Sequence, residues 1–181
     1  ELMIPTYLPN LISLTRVGLA VVMYYSIVQE EWLTAMVILY IAIISDLLDG
    51  FLARKFNRTS NIGGVLDHGS DAIFVAVSIA ALAHHGFAPA LLGLIILIAF
   101  LQYLLDSKSL SGRPLRASFI GRYNGIAYYV FAGLPVIQIN LEITVIPFDW
   151  FVWIGWGLVL TTTISMINRL ETLMSKRLKN P

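Results

Sequence analysis

The sequence predicts an all-α integral membrane fold of six transmembrane helices, one domain over residues 1–181. Three observations carry that prediction. Of 181 residues, 57% are hydrophobic and 13% charged, with a mean hydropathy of +0.78, whereas a soluble domain carries roughly twice that share of charge. Apolar runs recur along the whole chain, each near the about 20 residues that a helix needs to cross a hydrocarbon core. Alternation of apolar and polar residues with period two, which a lipid-facing barrel requires in every strand, is missing. Six spans leave short connections, so any chemistry must come from helix ends, loops and intramembrane polar residues. The chain has no cysteine, which removes disulfides, thiolate catalysis and Cys-ligated zinc or iron–sulfur sites. Its net charge of +1 gives no footing for nucleic acid as a partner.

The first span covers Leu8 to Val28 around Arg16. It follows Pro5 and Pro9 and has no basic leader or small-residue cleavage site, so it reads as a retained helix and not a signal peptide. The chain opens on Glu1 and not on Met, which suggests that residues precede it. The second span runs from Trp32 to about Ala53, with Asp46 and Asp49 near its end. The third runs from Gly64 to His84, with Asp67 and Asp71 near its start. The fourth, Gly86 to Leu105, holds 20 residues without a formal charge, and the sixth, Trp150 to Asn168, holds 19. The fifth covers Phe119 to Ile139, where Pro135 predicts a kink and not an end, because neighbouring helices can re-satisfy the freed carbonyl.

Orientation follows from the cations, because cytoplasmic loops carry the excess of Lys and Arg. Arg16, Arg54, Lys55, Arg58, Lys108, Arg113, Arg116, Arg122, Arg169, Lys176, Arg177 and Lys179 all fall on one side of the six-span arrangement, which is all 12 in the chain. The other side carries Glu30, Glu31, His84, His85, Glu142 and Asp149. Both termini and the 2–3 and 4–5 loops are therefore expected in the cytoplasm, which in a bacterium would place the chain in the inner membrane. Trp32, Trp150, Trp153 and Trp156 fall toward the outer boundary, where indoles favour the headgroup level.

From Ser45 to Asp71 the chain reads SDLLDGFLARKFNRTSNIGGVLDHGSD, which puts four carboxylates at the cytoplasmic ends of two helices. Asp46 and Asp49 share a face at i, i+3, as do Asp67 and Asp71 at i, i+4, so the two pairs can converge in a polar cavity on the cytoplasmic side. Four neighbouring anions need counter-charge, and with Arg54 as the cation nearest the second pair, a divalent metal is the natural neutraliser. Oxygen-only ligands favour Mg²⁺ or Mn²⁺ over zinc. Few nearby cations speak against interhelical salt bridges or a solvated rim. A cation or proton transporter is the competitor from another class, but clustering at one face and not at the midplane speaks against it.

Asp46, Asp49, Gly50, Ala53, Arg54, Gly63, Asp67 and Asp71 match the signature D-x2-D-G-x2-A-R-x8-G-x3-D-x3-D in every spacer. Eight such matches arise by chance at roughly one start position in 10¹⁰. On these residues the chain resembles the CDP-alcohol phosphotransferase (phosphatidyltransferase) family. The opening Pro9-Asn-Leu-Ile-Ser-Leu-Thr-Arg16 is similar to the first helix of the family's bacterial phosphatidylglycerophosphate synthases and cardiolipin synthases.

The resemblance implies transfer of a phosphatidyl group from CDP-diacylglycerol to an acceptor hydroxyl with release of CMP, in phospholipid synthesis, by a homodimer using two Mg²⁺ or Mn²⁺ ions. It implies that Asp46, Asp49 and Asp67 hold metal, and that Asp71 takes the acceptor proton while also touching the second ion, free on one oxygen. Gly50, Ala53 and Gly63 would border the nucleotide, Arg54 would pair with the diphosphate through its planar fork, and Asn10 would line the same site. The glycines can alternatively serve helix packing, and Asn10 and Arg16 can alternatively cap and snorkel.

On the acceptor side, Arg113, Arg116 and Arg122, with Lys108, bring cations toward the same face. Ala117, Ser118, Gly121 and Arg122 resemble the A-S-x2-G-K-x-K-T-x2-Q stretch of phosphatidylglycerophosphate synthases. Asn124, Gly125 and Tyr128 then stand where those enzymes have Lys, Thr and Gln. The expected acceptor site is thus Arg113, Arg116, Ser118 and Arg122, taking glycerol 3-phosphate or phosphatidylglycerol. Asp67-His-Gly-Ser-Asp71 also resembles the D-H-G-x-D of choline and ethanolamine phosphotransferases, whose acceptor is diacylglycerol.

Overall fold

A computed structural model describes residues 8–55, 61–107 and 119–179. They form six helices: α1 Leu8–Val28, α2 Trp32–Lys55, α3 Asn61–His84, α4 Ala90–Ser107, α5 Phe119–Asn140 and α6 Phe148–Lys179. No strand occurs among the described residues. The six expected segments are all helical, with shifted ends. Gly86 closes α3 at φ +75° and Pro89 cannot donate to a preceding turn, so α4 starts at Ala90 and not at Gly86. At the other extreme α6 continues past Asn168 to Lys179, because polar helix formers extend a helix beyond its apolar window as readily as apolar ones. α5 runs on through Pro135.

α3 is the hub, packed on α1, α4 and α5, while α1 also packs on α2, α2 on α5, and α6 on α4 and α5. Met23 and Ile27 of α1, Leu39 of α2, Phe74, Ile79 and Leu82 of α3, Leu92 of α4, Val136 of α5 and Phe151 of α6 fill the core. The outward faces are apolar as well; Leu33 is 66% exposed and Trp153 76%. Asn10–Val28, Gly63–His84 and Phe148–Thr172 are long and apolar enough to cross a membrane, and Trp32–Leu48 and Ala90–Leu105 are shorter apolar helices. A helix apolar on both its inner and outer faces is the signature of a span or a deeply buried segment.

The chain reads as three helical hairpins, α1–α2, α3–α4 and α5–α6, and each first helix ends in the same way. Glu31, Phe87 and Ile143 donate their N–H groups back to the carbonyls of Ser26, Leu82 and Gln138 at 2.8, 3.0 and 3.1 Å. The residue before each donor, Glu30, Gly86 and Glu142, lies in the left-handed region, which makes each turn a Schellman cap. The caps meet at one end of the bundle. A ring nitrogen of His85 bonds the Ile27 carbonyl at 2.8 Å, and Asn140 Nδ2 donates to the Trp32 carbonyl at 2.7 Å. Buried Gln138 holds the third turn, its Oε1 accepting from the N–H groups of Val145 and Ile146.

α3 and α4 touch at backbone distance. A Cβ at Gly93 would lie 2.7 Å from the Ala76 carbonyl oxygen, whereas one at Gly157 would meet nothing within 4 Å. Gly93→Ala is therefore expected to push the hub helix off its neighbour and destabilise the fold by about 1–3 kcal/mol, seen as a lower thermal midpoint in detergent. Gly157→Ala should leave that midpoint unchanged. Equal midpoints for the two variants would show that the α3–α4 contact has slack.

Candidate active site

The opposite end of the bundle, away from the three caps, carries Arg16 and the aspartates of α2 and α3. Arg16 lies eight residues into α1, about 12 Å along the helix at 1.5 Å per residue, on the face that meets both α2 and α3. There its side chain is fully buried, and it is the only buried charged residue among those described. Guanidinium Nη1 donates to Oδ1 of Asp46 at 3.1 Å and, in a closer contact, to Oδ1 of Asp71; Nη2 donates to Oδ1 of Asp67 at 2.7 Å. Ser13, one turn earlier, directs its hydroxyl at the same Asp67 oxygen, 3.5 Å away. Interhelical ion pairing, set aside on the sequence for want of a nearby cation, therefore does occur. The cation comes from α1, which sequence distance hid, and Arg16 neither caps nor snorkels.

The three carboxylates share a further feature. Each gives Oδ1 to Arg16, and among the described residues no hydrogen bond falls on any Oδ2. Their side chains are 43%, 29% and 22% exposed for Asp46, Asp67 and Asp71, against 0% for Arg16. The guanidinium thus sits among three carboxylates that each stay partly exposed, and the His68 ring lies 3.9 Å from the second oxygen of Asp67. Asp67, His68 and Asp71 place ligand atoms within 4.8 Å of one another. Hard oxygen donors with room for water between them suit Mg²⁺ or Mn²⁺, which retain several waters and take one or two carboxylates. His68 adds a single, half-exposed imidazole at the rim, too little for a zinc site.

Helix geometry explains the convergence. Asp67 and Asp71 are successive turns of α3 on its α1-facing side, and Ser70 keeps its hydroxyl out of the cluster by bonding the Asp67 carbonyl at 2.8 Å. Gly69, between them, leaves space on the other flank, where the Phe100 ring of α4 would lie 3.3 Å from an added Cβ. Gly63 lies in the first turn of the same helix, one turn before Asp67, and Asn10 is half-buried on α1 at the end that carries Ser13 and Arg16. Asp49, Gly50, Ala53 and Arg54 continue α2 beyond Asp46, with side chains outside the described residues.

One residue escaped the sequence. Tyr129 of α5 donates its hydroxyl to Oδ1 of Asp71 at 2.7 Å, and its ring stacks on buried Phe74 at 6.2 Å. It lies two helical turns from Arg122, and this seven-residue spacing was the only hint available. Of the expected acceptor residues, Arg113, Arg116 and Ser118 lie outside the described residues, and Arg122 is exposed at the start of α5, with no ion pair to Asp46, Asp67 or Asp71. Asn124 is buried, and Tyr128 bonds Thr162 of α6, so both turn away from the carboxylates.

Comparison with known proteins agrees with this geometry. The chain is 37% identical over 86 residues to human cardiolipin synthase (CMP-forming), a stretch covering 47% of this chain and 29% of that protein. It is 37% identical over 71 residues to the CDP-diacylglycerol–glycerol-3-phosphate 3-phosphatidyltransferase of Aquifex aeolicus, 39% of this chain and 40% of that one. The chain thus spans less than half the length of these relatives. The cardiolipin synthase of Streptomyces coelicolor aligns at 24% identity over 169 residues, 84% of this chain and 76% of that protein. Residues 6–164 match the family model of the CDP-alcohol phosphatidyltransferases, and with three of its signature aspartates gathered around one buried arginine, the chain belongs to that family.

Proposed function

We propose that the protein is a six-span membrane enzyme of phospholipid synthesis that transfers a phosphatidyl group from CDP-diacylglycerol to a hydroxyl acceptor and releases CMP. The observation that carries this reading is the carboxylate cluster: three signature aspartates from two helices, each held through Oδ1 by the buried Arg16 and each still partly exposed. Asp46, Asp49 and Asp67 would hold two Mg²⁺ or Mn²⁺ ions, with Asp71 touching the second. Such ions, when bound, offset the diphosphate charge and stabilise the departing phosphate of CMP. Asp71 accepts the acceptor's proton, Arg54 pairs with the diphosphate, Gly50, Ala53 and Gly63 give the nucleotide room, and Asn10 borders it.

Arg113, Arg116, Ser118 and Arg122 would hold the acceptor's phosphate through charge-assisted bonds. Glycerol 3-phosphate and phosphatidylglycerol both offer a glycerol hydroxyl near a phosphate. Asn124 stands where the resemblance expected a lysine, which removes one cation from that pocket and brings phosphatidylglycerol, the less anionic acceptor, level with glycerol 3-phosphate. The protein is read as a homodimer with the site and both termini cytoplasmic.

With purified full-length chain, CDP-diacylglycerol and either acceptor, CMP release should stop on addition of EDTA and return with Mg²⁺ or Mn²⁺. Asp46→Asn, which lowers ligand charge at nearly constant volume, should reduce that release strongly. Full turnover in excess EDTA would sink the metal assignment.

Arg16→Met leaves three carboxylates without the cation between them, and breaking a buried pair in this way destabilises by about 3–5 kcal/mol. Its thermal midpoint in EDTA should fall below that of the unmodified protein. Mn²⁺ should then raise the variant's midpoint by more than it raises the parent's, since the ion replaces the lost positive charge. Equal Mn²⁺ shifts would mean that ion and guanidinium do not share the same carboxylates.

Topology is tested in this cysteine-free chain by single cysteines at Ser60 and Glu142, one on each proposed side. They should label from opposite faces of sealed cells; labelling from the same face would overturn the six-span arrangement.

A further inference from the structure

Both hydrogen bonds to Asp71 fall on one oxygen. Tyr129 Oη and Arg16 Nη1 donate to Oδ1 from opposite elements, α5 and α1, and a carboxylate held twice at one oxygen cannot rotate to exchange the two. Tyr129 is itself fixed by its ring, stacked at 21° on Phe74, a residue with no exposed surface. The rest of the α5 face packs elsewhere: neighbouring Tyr128 bonds Thr162. A phenol hydroxyl has a single proton to give, and here it goes to a carboxylate and not to a backbone carbonyl.

We propose that Tyr129 is a positioning residue for the transfer: together with Arg16 it clamps Oδ1 of Asp71, so that Oδ2 is the atom that accepts the proton from the acceptor hydroxyl. This rests on the phosphatidyltransfer reading. In the step, the acceptor oxygen bonds to the phosphorus next to the diacylglycerol, its proton passes to Oδ2, and the bond from that phosphorus to the CMP oxygen breaks with its electron pair leaving on CMP. Asp71 then carries one proton, which is lost to water before the next turnover. Tyr129 exchanges no proton; it sets which lone pair faces the acceptor, and near-attack geometry of this kind is sensitive to displacements of about 1 Å.

The test is Tyr129→Phe in the full chain, which deletes one oxygen and keeps the ring on Phe74. Expected is a fall in kcat of about tenfold or more, bounded by the about 10²–10⁴ that a general base supplies, with KM for donor and acceptor and the Mn²⁺-induced thermal shift within twofold of the parent. In an Asp71→Asn background the same substitution should add no further loss, since Tyr129 acts only through that carboxylate. A kcat within twofold of the parent, a loss carried by KM or by the Mn²⁺ shift, or full additivity with Asp71→Asn would each overturn the role. The parent protein in the same assay separates the two claims. No CMP release from CDP-diacylglycerol by the parent overturns the phosphatidyltransfer reading, whereas parental release with undiminished Tyr129→Phe turnover overturns the positioning role alone.

Discussion

The arrangement of this bundle depends on one guanidinium. Arg16 ties α1 to α2 through Asp46 and to α3 through Asp67 and Asp71, and no other charged residue among those described is fully buried. Such a cluster adds little net stability compared with well-packed apolar residues, because desolvation offsets most of the attraction. What it does is select. A shift of α1 by one residue would rotate Arg16 by about 100° and leave a buried cation facing hydrocarbon and three anions facing each other, a penalty far larger than any gain in apolar packing. The ion cluster requires Arg16 to face α2 and α3 at once, so it fixes the register of α1 that the rest of the site inherits.

The far end of the molecule complements this. There, three left-handed caps satisfy the terminal carbonyls of α1, α3 and α5 from within the chain, and short turns pass directly into the next helix. A rigid, self-satisfied end leaves the charged end as the place where groups remain open to a ligand. The close backbone contact at Gly93 and the cation–π contact of Arg169 over the Tyr103 ring, 4.6 Å from its centroid, carry α4 and α6 toward the same end without adding to the carboxylate cluster. The carboxylate cluster and the capped turns are thus separated along the helix axes.

Much of this was legible in the residues. Apolar runs located all six helices, α1 to the residue, because Pro9 and the turn signals around Glu30 bracket it. The aspartate spacing anticipated that Asp67 and Asp71 share a face and meet Asp46, since i, i+4 geometry needs no tertiary knowledge, while the i, i+3 partner Asp49 has its side chain outside the described residues. The start of α4 was misplaced because hydropathy does not distinguish a helix from the cap that precedes it; Gly86 and Pro89 are apolar yet non-helical. Arg16 was visible as a charge inside an apolar run, but its partners are 30, 51 and 55 residues away, and only the packing of α1 on two helices at once brings them together. Tyr129 was illegible for the same reason and one more: tyrosine in an apolar helix is ordinary, and only its neighbour across α3 gives it a role.

Charge balance links the buried arginine to the proposed chemistry. Among the described residues, Asp46, Asp67 and Asp71 all turn Oδ1 to Arg16, so the carboxylates gathered here outnumber the one buried cation set among them. One buried positive charge among the carboxylates offsets part of their mutual repulsion. The same placement explains why an arginine suits this position better than a lysine: a planar fork reaches three carboxylates on two helices from one fixed stem, whereas an ammonium is a point charge on a flexible one.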